Sequence, residues 1–154
     1  MKTEFLVAWN THCDKNRLLI ENISPAGFEK TLSTRGGRTI LQQWIHIHNV
    51  RLQWLEICAP DIHKKCKPLD KDAPLKKESL SVALQASGKG IEELLDRGWD
   101  HEGRIKGFRK GVFQFLAYLV SHESHHRGNM LLTLKQSGEK IPDAVKWGLW
   151  EWNK

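Results

Sequence analysis

The sequence predicts an all-α fold, a four-helix bundle with a long crossover between its second and third helices. Three observations carry this. Four long stretches repeat apolar residues at three- and four-residue steps. No stretch alternates apolar and polar residues as a half-buried strand would. One polar, proline-bearing connection of about sixteen residues separates the second stretch from the third. At 154 residues and 40% hydrophobic content the chain suits one domain, residues 1–154, around one core.

The first helix is expected over residues 4 to 23, where Phe5, Leu6, Trp9, His12, Cys13, Asn16, Leu19, Ile20 and Ile23 recur with helical period. Ser24-Pro25-Ala26-Gly27 ends it. His12 falls in line with Trp9 and Asn16 and reads as a boundary histidine that hydrogen-bonds locally.

A polar connection through Thr34-Arg35-Gly36-Gly37 leads to a second helix over residues 39 to 58, stopped by Ala59-Pro60. It is apolar nearly all round, with Ile40, Leu41, Trp44, Ile45, Ile47, Val50, Leu52, Trp54, Leu55 and Ile57, as a central helix should be. His46 and His48 sit on it two residues apart, about 200° around the axis, so only one of them faces a given point. Periodicity by itself favours His48, which shares a stripe with Leu41, Trp44, Leu52 and Leu55.

Residues 60 to 75 form the long connection, whose length allows a crossover along the bundle in place of a tight hairpin. A third helix follows over residues 77 to 97, amphipathic through Leu80, Ala83, Leu84, Ser87, Ile91, Leu94 and Leu95, and weakened by Gly88 and Gly90. Residues 98 to 107 make a turn-rich connection holding Asp100, His101 and Glu102. The fourth helix, residues 108 to 137, is the longest and is capped by Gly138. The tail from Val145 to Trp152 carries Trp147, Trp150 and Trp152 and reads as hydrophobic cover folded back on the bundle.

The fourth helix holds the chemistry. His122 and His126 are four apart and share one face, one turn above the other, while His125 is turned about 100° away. Two imidazoles aimed at one point suit a metal ion, and their apolar surroundings make an unpartnered ring costly. A His-x-x-x-His spacing alone is a weak signal. A zinc site for catalysis typically takes three protein ligands and keeps a position open, so a third histidine is expected from another helix.

Charge and cysteine content exclude several classes. The net charge of +6 and sequence pI near 9.3 raise the question of nucleic acid. The lysines, however, thicken between His63 and Lys77 among prolines and aspartates, a solvated loop in place of a basic helix face, so a nucleic-acid partner is not expected. Cys13, Cys58 and Cys66 form no Cys-x-x-Cys pair and read as free thiols. No run is long and apolar enough for a membrane helix and the first residues lack a signal peptide's pattern, so a cytoplasmic protein is expected.

With four helices, a histidine on the second and His-x-x-x-His-Arg-Gly on the fourth, the chain resembles the DinB/YfiT-like family of metalloenzymes, distinct from the error-prone DNA polymerase of similar name. The resemblance covers most of the chain: a Trp-bearing first helix, His-Ile-x-x-Val-Arg-x-x-Trp-Leu from His46 to Leu55, His122-Glu-Ser-His-His126-Arg-Gly-Asn, and Gly148-Leu-Trp-Glu-Trp152. It implies a four-helix bundle with the crossover described above and a three-histidine site. The family's helix-two ligand is a histidine followed by an apolar residue with Trp-Leu about eight positions on. That is His46, against the helical period, with His122 and His126 as its partners. His48 and His125 are then neighbours that hydrogen-bond the site or contact substrate, and Asn129 stands where the motif commonly has Gln.

The resemblance further implies a divalent ion, zinc or nickel, and a small-molecule substrate: transfer of a low-molecular-weight thiol to an electrophile, or hydrolysis. Glu123, Asp100, His101 and Glu102 are the groups to consider as a general base, and none is favoured. Homodimerisation through a bundle face is plausible for such a chain. The rival is a non-catalytic bundle whose ion only ties helices together, which would want a fourth ligand such as His12 or His101.

Overall fold

The structure, a computed structural model, describes residues 1–153 and is all-α, with no strand among those residues. The helices are α1 (Lys2–Glu21), α2 (Pro25–Phe28), α3 (Ile40–Cys58), α4 (Pro60–His63), α5 (Lys77–Asp100), α6 (Val112–Gln136) and α7 (Asp143–Gly148). Four are long and form the bundle, in which α1 and α3 each pack against both α5 and α6.

Local signals set the ends. Thr39 and Gln42 complete a reciprocal capping box at the start of α3, satisfying two donors that the first turn would otherwise leave bare. Ser24 accepts from the Gly27 amide and Pro25 occupies the first turn, so the segment expected only to end the first helix winds one more turn as α2. Pro60 likewise starts the single turn of α4 inside the expected loop. At the end of α6, Gly138 takes φ 75° and the Glu139 amide returns to the Leu134 carbonyl at 3.0 Å, closing the helix as a left-handed glycine cap does.

Helix directions follow from the contacts. His48 meets Ser87 and Leu55 meets the Gly90 position, so α3 and α5 run the same way and the connection between them travels along the bundle. This is the crossover expected from its length. His46 lies beside His126 and Trp54 beside Tyr118, so α3 and α6 are antiparallel. Gly90 weakens α5 as a helix former yet is needed for packing: a Cβ there would stand 2.9 Å from Leu55 Cδ1.

Two apolar clusters fill the bundle. One gathers Leu19, Ile20, Ile40, Trp44, Ile47, Leu80, Met130 and Leu134, and the other Phe5, Trp9, Leu55, Ile91, Leu95, Phe115 and Leu119. Between them lies a buried polar layer of His12, Asn16, Arg51, Ser87 and Glu123. The tail differs from the expectation of aromatic cover. Val145 and Leu149, four apart, take the inward face of α7 and its end, which turns Trp147 and Trp150 outward to 71% and 81% exposure. No helix among the described residues is long and apolar enough to cross a membrane. The three cysteines are free, and the loop lysines between Lys64 and Lys76 stand in solvent.

Candidate metal centre

Three imidazoles converge where α3 and α6 run side by side. The nitrogens of His46, His122 and His126 lie within 4.8 Å of one another, and these three form the whole group of potential ligands among the described residues. Ring centroids are 5.3 Å apart for His46 and His122, 4.9 Å for His46 and His126, and 4.8 Å for His122 and His126. The α6 pair meets because helical positions four apart stack on one face; His46 reaches them because α3 runs antiparallel alongside.

The donor set fits a divalent ion. Donors on a tetrahedral zinc at about 2.0–2.1 Å stand about 3.3 Å from each other, so each ring has to move inward by about 1 Å or less. Burial, the largest cause in each case, holds all three imidazoles below the usual histidine range, with the positive charge of Arg38 acting in the same direction on each. For His126 the pKa falls to about 4. At neutral pH the rings are therefore uncharged and keep a lone pair for a metal. His122 Nδ1 is buried with no hydrogen-bond partner among the described residues.

His126 is oriented from behind. Its Nδ1 lies 3.3 Å from Gln43 Oε1, and Gln43 Nε2 donates to Asn129 Oδ1 at 3.0 Å. An Nδ1–H donating to Gln43 leaves Nε2 as the free lone pair, the arrangement that fixes a metal-binding imidazole. Asn129 thus reaches the site through Gln43. Gln43 was not anticipated, although it precedes His46 by three residues on the same face of the helix, which is a usable signal.

His48 is apart from the group. It is 1% exposed and faces α5, with Nδ1 3.1 Å from Ser87 Oγ and Nε2 2.8 Å from the Lys67 carbonyl. It ties the crossover to the core. His125 is exposed, and its ring lies 5.5 Å from that of His126.

Glu123 turns away from the histidines into the polar layer, where it is saturated. Arg51 donates to both its oxygens, Nε at 2.7 Å and Nη2 at 2.6 Å, and His12 Nε2 and Asn16 Nδ2 each stand at 2.8 Å from Oε2. Burial opposes ionisation, but the Arg51 charge and these donors outweigh it and hold the carboxyl down at about 2. His12 is therefore not a local boundary residue: it is fully buried and bonded across 111 positions of sequence. Its other nitrogen has no partner among the described residues, so a second proton there would be a buried bare donor, and burial keeps the ring neutral. Asp100 pairs with Lys2, and Glu102 with Arg104. Their loop enters α6 at Val112, about 15 Å of helix before His122, so these groups do not cover the histidines.

A cluster of aromatic rings continues the line of the histidines. Tyr118 lies one turn before His122, near-parallel at 17° and 6.0 Å, and touches Trp54 at 5.7 Å. Phe108 and Phe115 back Trp54 at 5.4 and 5.6 Å.

A family model described as DinB family matches residues 1–151. The chain is similar to uncharacterized protein YrdA of Bacillus subtilis strain 168, 22% identical over 155 residues that cover 97% of this chain and 91% of that protein. No solved structure matches it at a significant level.

Proposed function

This chain belongs to the DinB family, and from that premise we propose that it is a metal-dependent enzyme in which His46, His122 and His126 hold a divalent ion, zinc or nickel. The observation that carries the reading is the convergence of these three neutral imidazoles with no fourth histidine, cysteine or carboxylate in the group among the described residues. A purely structural ion would normally be closed by a fourth ligand. His12 is committed to Glu123, and His101 sits on the distant loop, so neither supplies one.

Such an ion, when bound, makes a thiol or water beside it lose its proton near neutral pH. The chain's own residues favour the thiol. Glu123, the carboxylate nearest in sequence, already accepts four hydrogen bonds and has no capacity left to take a proton for a hydrolytic step. A thiol, with an ordinary pKa of about 8.5, ionises without such a base. The reaction is accordingly transfer of a small thiol to an electrophile, with hydrolysis as the other use of the same centre. Gln43 holds the His126 ring, and burial keeps the three rings uncharged.

Elemental analysis of protein purified without a histidine tag tests the reading. Near one equivalent of zinc or nickel is expected in the wild type and little in His126→Ala at pH 7.5. No metal in either, even after reconstitution, would leave a bundle that serves as an interaction domain.

A further inference from the structure

We propose that a cavity between α1 and α5, closed at its inner end by Arg51, binds a small uncharged molecule that has an apolar body and one carbonyl oxygen. The inference goes beyond the metal reading and does not rest on it, because none of the three histidines lines this cavity.

The cavity measures about 240 Å³, and an apolar cavity of about 150 Å³ already takes up benzene. Ile20 and Leu84, both buried, and Cys13 form its apolar wall. Gly88 keeps it open. α5 carries Gly88 and Gly90 in its interior, each a cost to the helix. Gly90 is explained by close packing on Leu55, but a Cβ at Gly88 would meet only Arg51 Nη1 and Cys13 Sγ, each at 3.3 Å. What the missing methyl leaves free is the inner end of the cavity.

That inner end sets the chemistry. Arg51 is 2% exposed, and its guanidinium has five N–H bonds to satisfy. Three are well used: Nε and Nη2 donate to Glu123 at 2.7 and 2.6 Å, and Nη1 donates to the Leu84 carbonyl at 3.0 Å. The other two have poor acceptors, Ser87 Oγ at 3.5 Å and Cys13 Sγ at 3.8 Å. Burial, the largest cause, pushes the Cys13 thiol up to about 11. The sulfur is therefore neutral, a weak acceptor for a charged donor and no nucleophile towards a guest. A carbonyl oxygen entering past Gly88 gives Arg51 the acceptor that sulfur does not.

Charge selects against an ion. Glu123 already meets the Arg51 charge, so a carboxylate on the guest would be a second buried anion beside it. On the rim, Arg17 donates to Asp14 at 2.9 Å and Asn10 to Glu92 at 2.6 Å, and Lys89 stands in solvent. One donor edge at the end of an apolar wall matches one acceptor atom on an apolar body.

Acetophenone and α-methylstyrene test this, since they differ only in C=O against C=CH2. Each is titrated while the Gly88 amide and Arg51 Nε–H resonances are followed by NMR. Acetophenone is expected to bind about tenfold tighter than α-methylstyrene. Benzoate, with the same ring and a charge, should bind more weakly than acetophenone. Gly88→Ala puts a methyl into the inner end and should weaken acetophenone by about tenfold or more. Cys13→Met, which lengthens a side chain on the wall, is the second filling variant should the first fail to fold. Arg51→Met with Glu123→Leu removes the donor and its counter-charge together, and should leave the two neutral probes binding equally, read at Gly88. No binding of acetophenone to the wild type, equal affinities for the two neutral probes there, or tighter binding of benzoate would overturn the proposal. So would full affinity in the filling variants, or a carbonyl preference that survives the loss of Arg51.

Discussion

One turn of α6, from His122 to His126, presents two polar constellations on two faces, and they are built on opposite principles. Inward, Glu123 is buried to 1% exposure and every lone pair that faces Arg51, His12 and Asn16 is used. Outward, His122 and His126 stand half-buried with His46; Gln43 meets only the Nδ1 of His126, and His122 Nδ1 is buried with no partner among the described residues. A saturated buried network fixes which helices pair and in which register. Converging groups with lone pairs left over are what a ligand requires, because an unmet lone pair on a half-buried ring is costly until something binds it. The same helix thus separates a saturated internal network from a group of converging imidazoles by about 100° of rotation.

The sharpest way to break the comparison is to damage the inner face alone. Glu123→Gln leaves the Arg51 guanidinium buried without its counter-charge, which should lower stability by about 3–5 kcal/mol in urea unfolding at pH 7.5. Joint replacement by Glu123→Leu and Arg51→Met should cost less than the single change, since no charge is left stranded. Acid gives the sign. Glu123 falls from 4.5 to about 2 on folding, so its contribution is complete above pH 4.5 and is lost as pH drops towards 2. His12, also lowered, acts in the same direction from about pH 6.5 downward. Wild-type midpoints should decline on acidification through this window, and Glu123→Gln should flatten the decline below pH 4.5. An unchanged slope would mean that the inner face does not carry the acid sensitivity.

The outer face is tested through its support. Gln43→Ala removes the acceptor behind His126 while sparing all three candidate ligands, and should weaken zinc binding about 10–100-fold with the stoichiometry kept. Asn129→Ala, one bond further out, should lose less. Competition with a chelating dye measures both. Full-strength binding in Gln43→Ala would show that the Gln43 contact to His126 is incidental to the centre.

These two faces differed in how far the sequence exposed them. The four long helices and the crossover were legible because apolar period and a long polar connection report directly on burial and path. The histidines on α6 were legible from their four-residue step. The α3 histidine was not legible from period: a stripe shared with Leu41, Trp44, Leu52 and Leu55 says which ring faces the core, and His48 does face it, against α5. The histidine cluster is half-buried and lies outside that stripe, and the family pattern placed His46 there where the wheel did not. The inner network was half legible. Arg51 interrupts an apolar run and His12 falls on the apolar stripe of its helix, which signals buried polar groups, yet their pairings with Glu123 span 72 and 111 residues and no local rule reaches that far. The tryptophan tail misled because composition counts rings without telling which way a short helix turns them.

The smallest expected effect falls on the residue that looks most like a member of the centre. His125 is adjacent to His126 in sequence, and its ring stands 5.5 Å away, only slightly farther than the 5.3 Å between the rings of His46 and His122. It is nevertheless exposed and projects about 100° from the ligand face, so water satisfies it and no convergence is needed. His125→Ala should retain the wild-type metal equivalent and shift unfolding by about 0.5 kcal/mol or less, as surface changes usually do. Loss of metal in this variant would place a fourth imidazole on the ion. The centre would then be closed in the manner of a structural site, and the division between the two faces of α6 would no longer be one between architecture and chemistry.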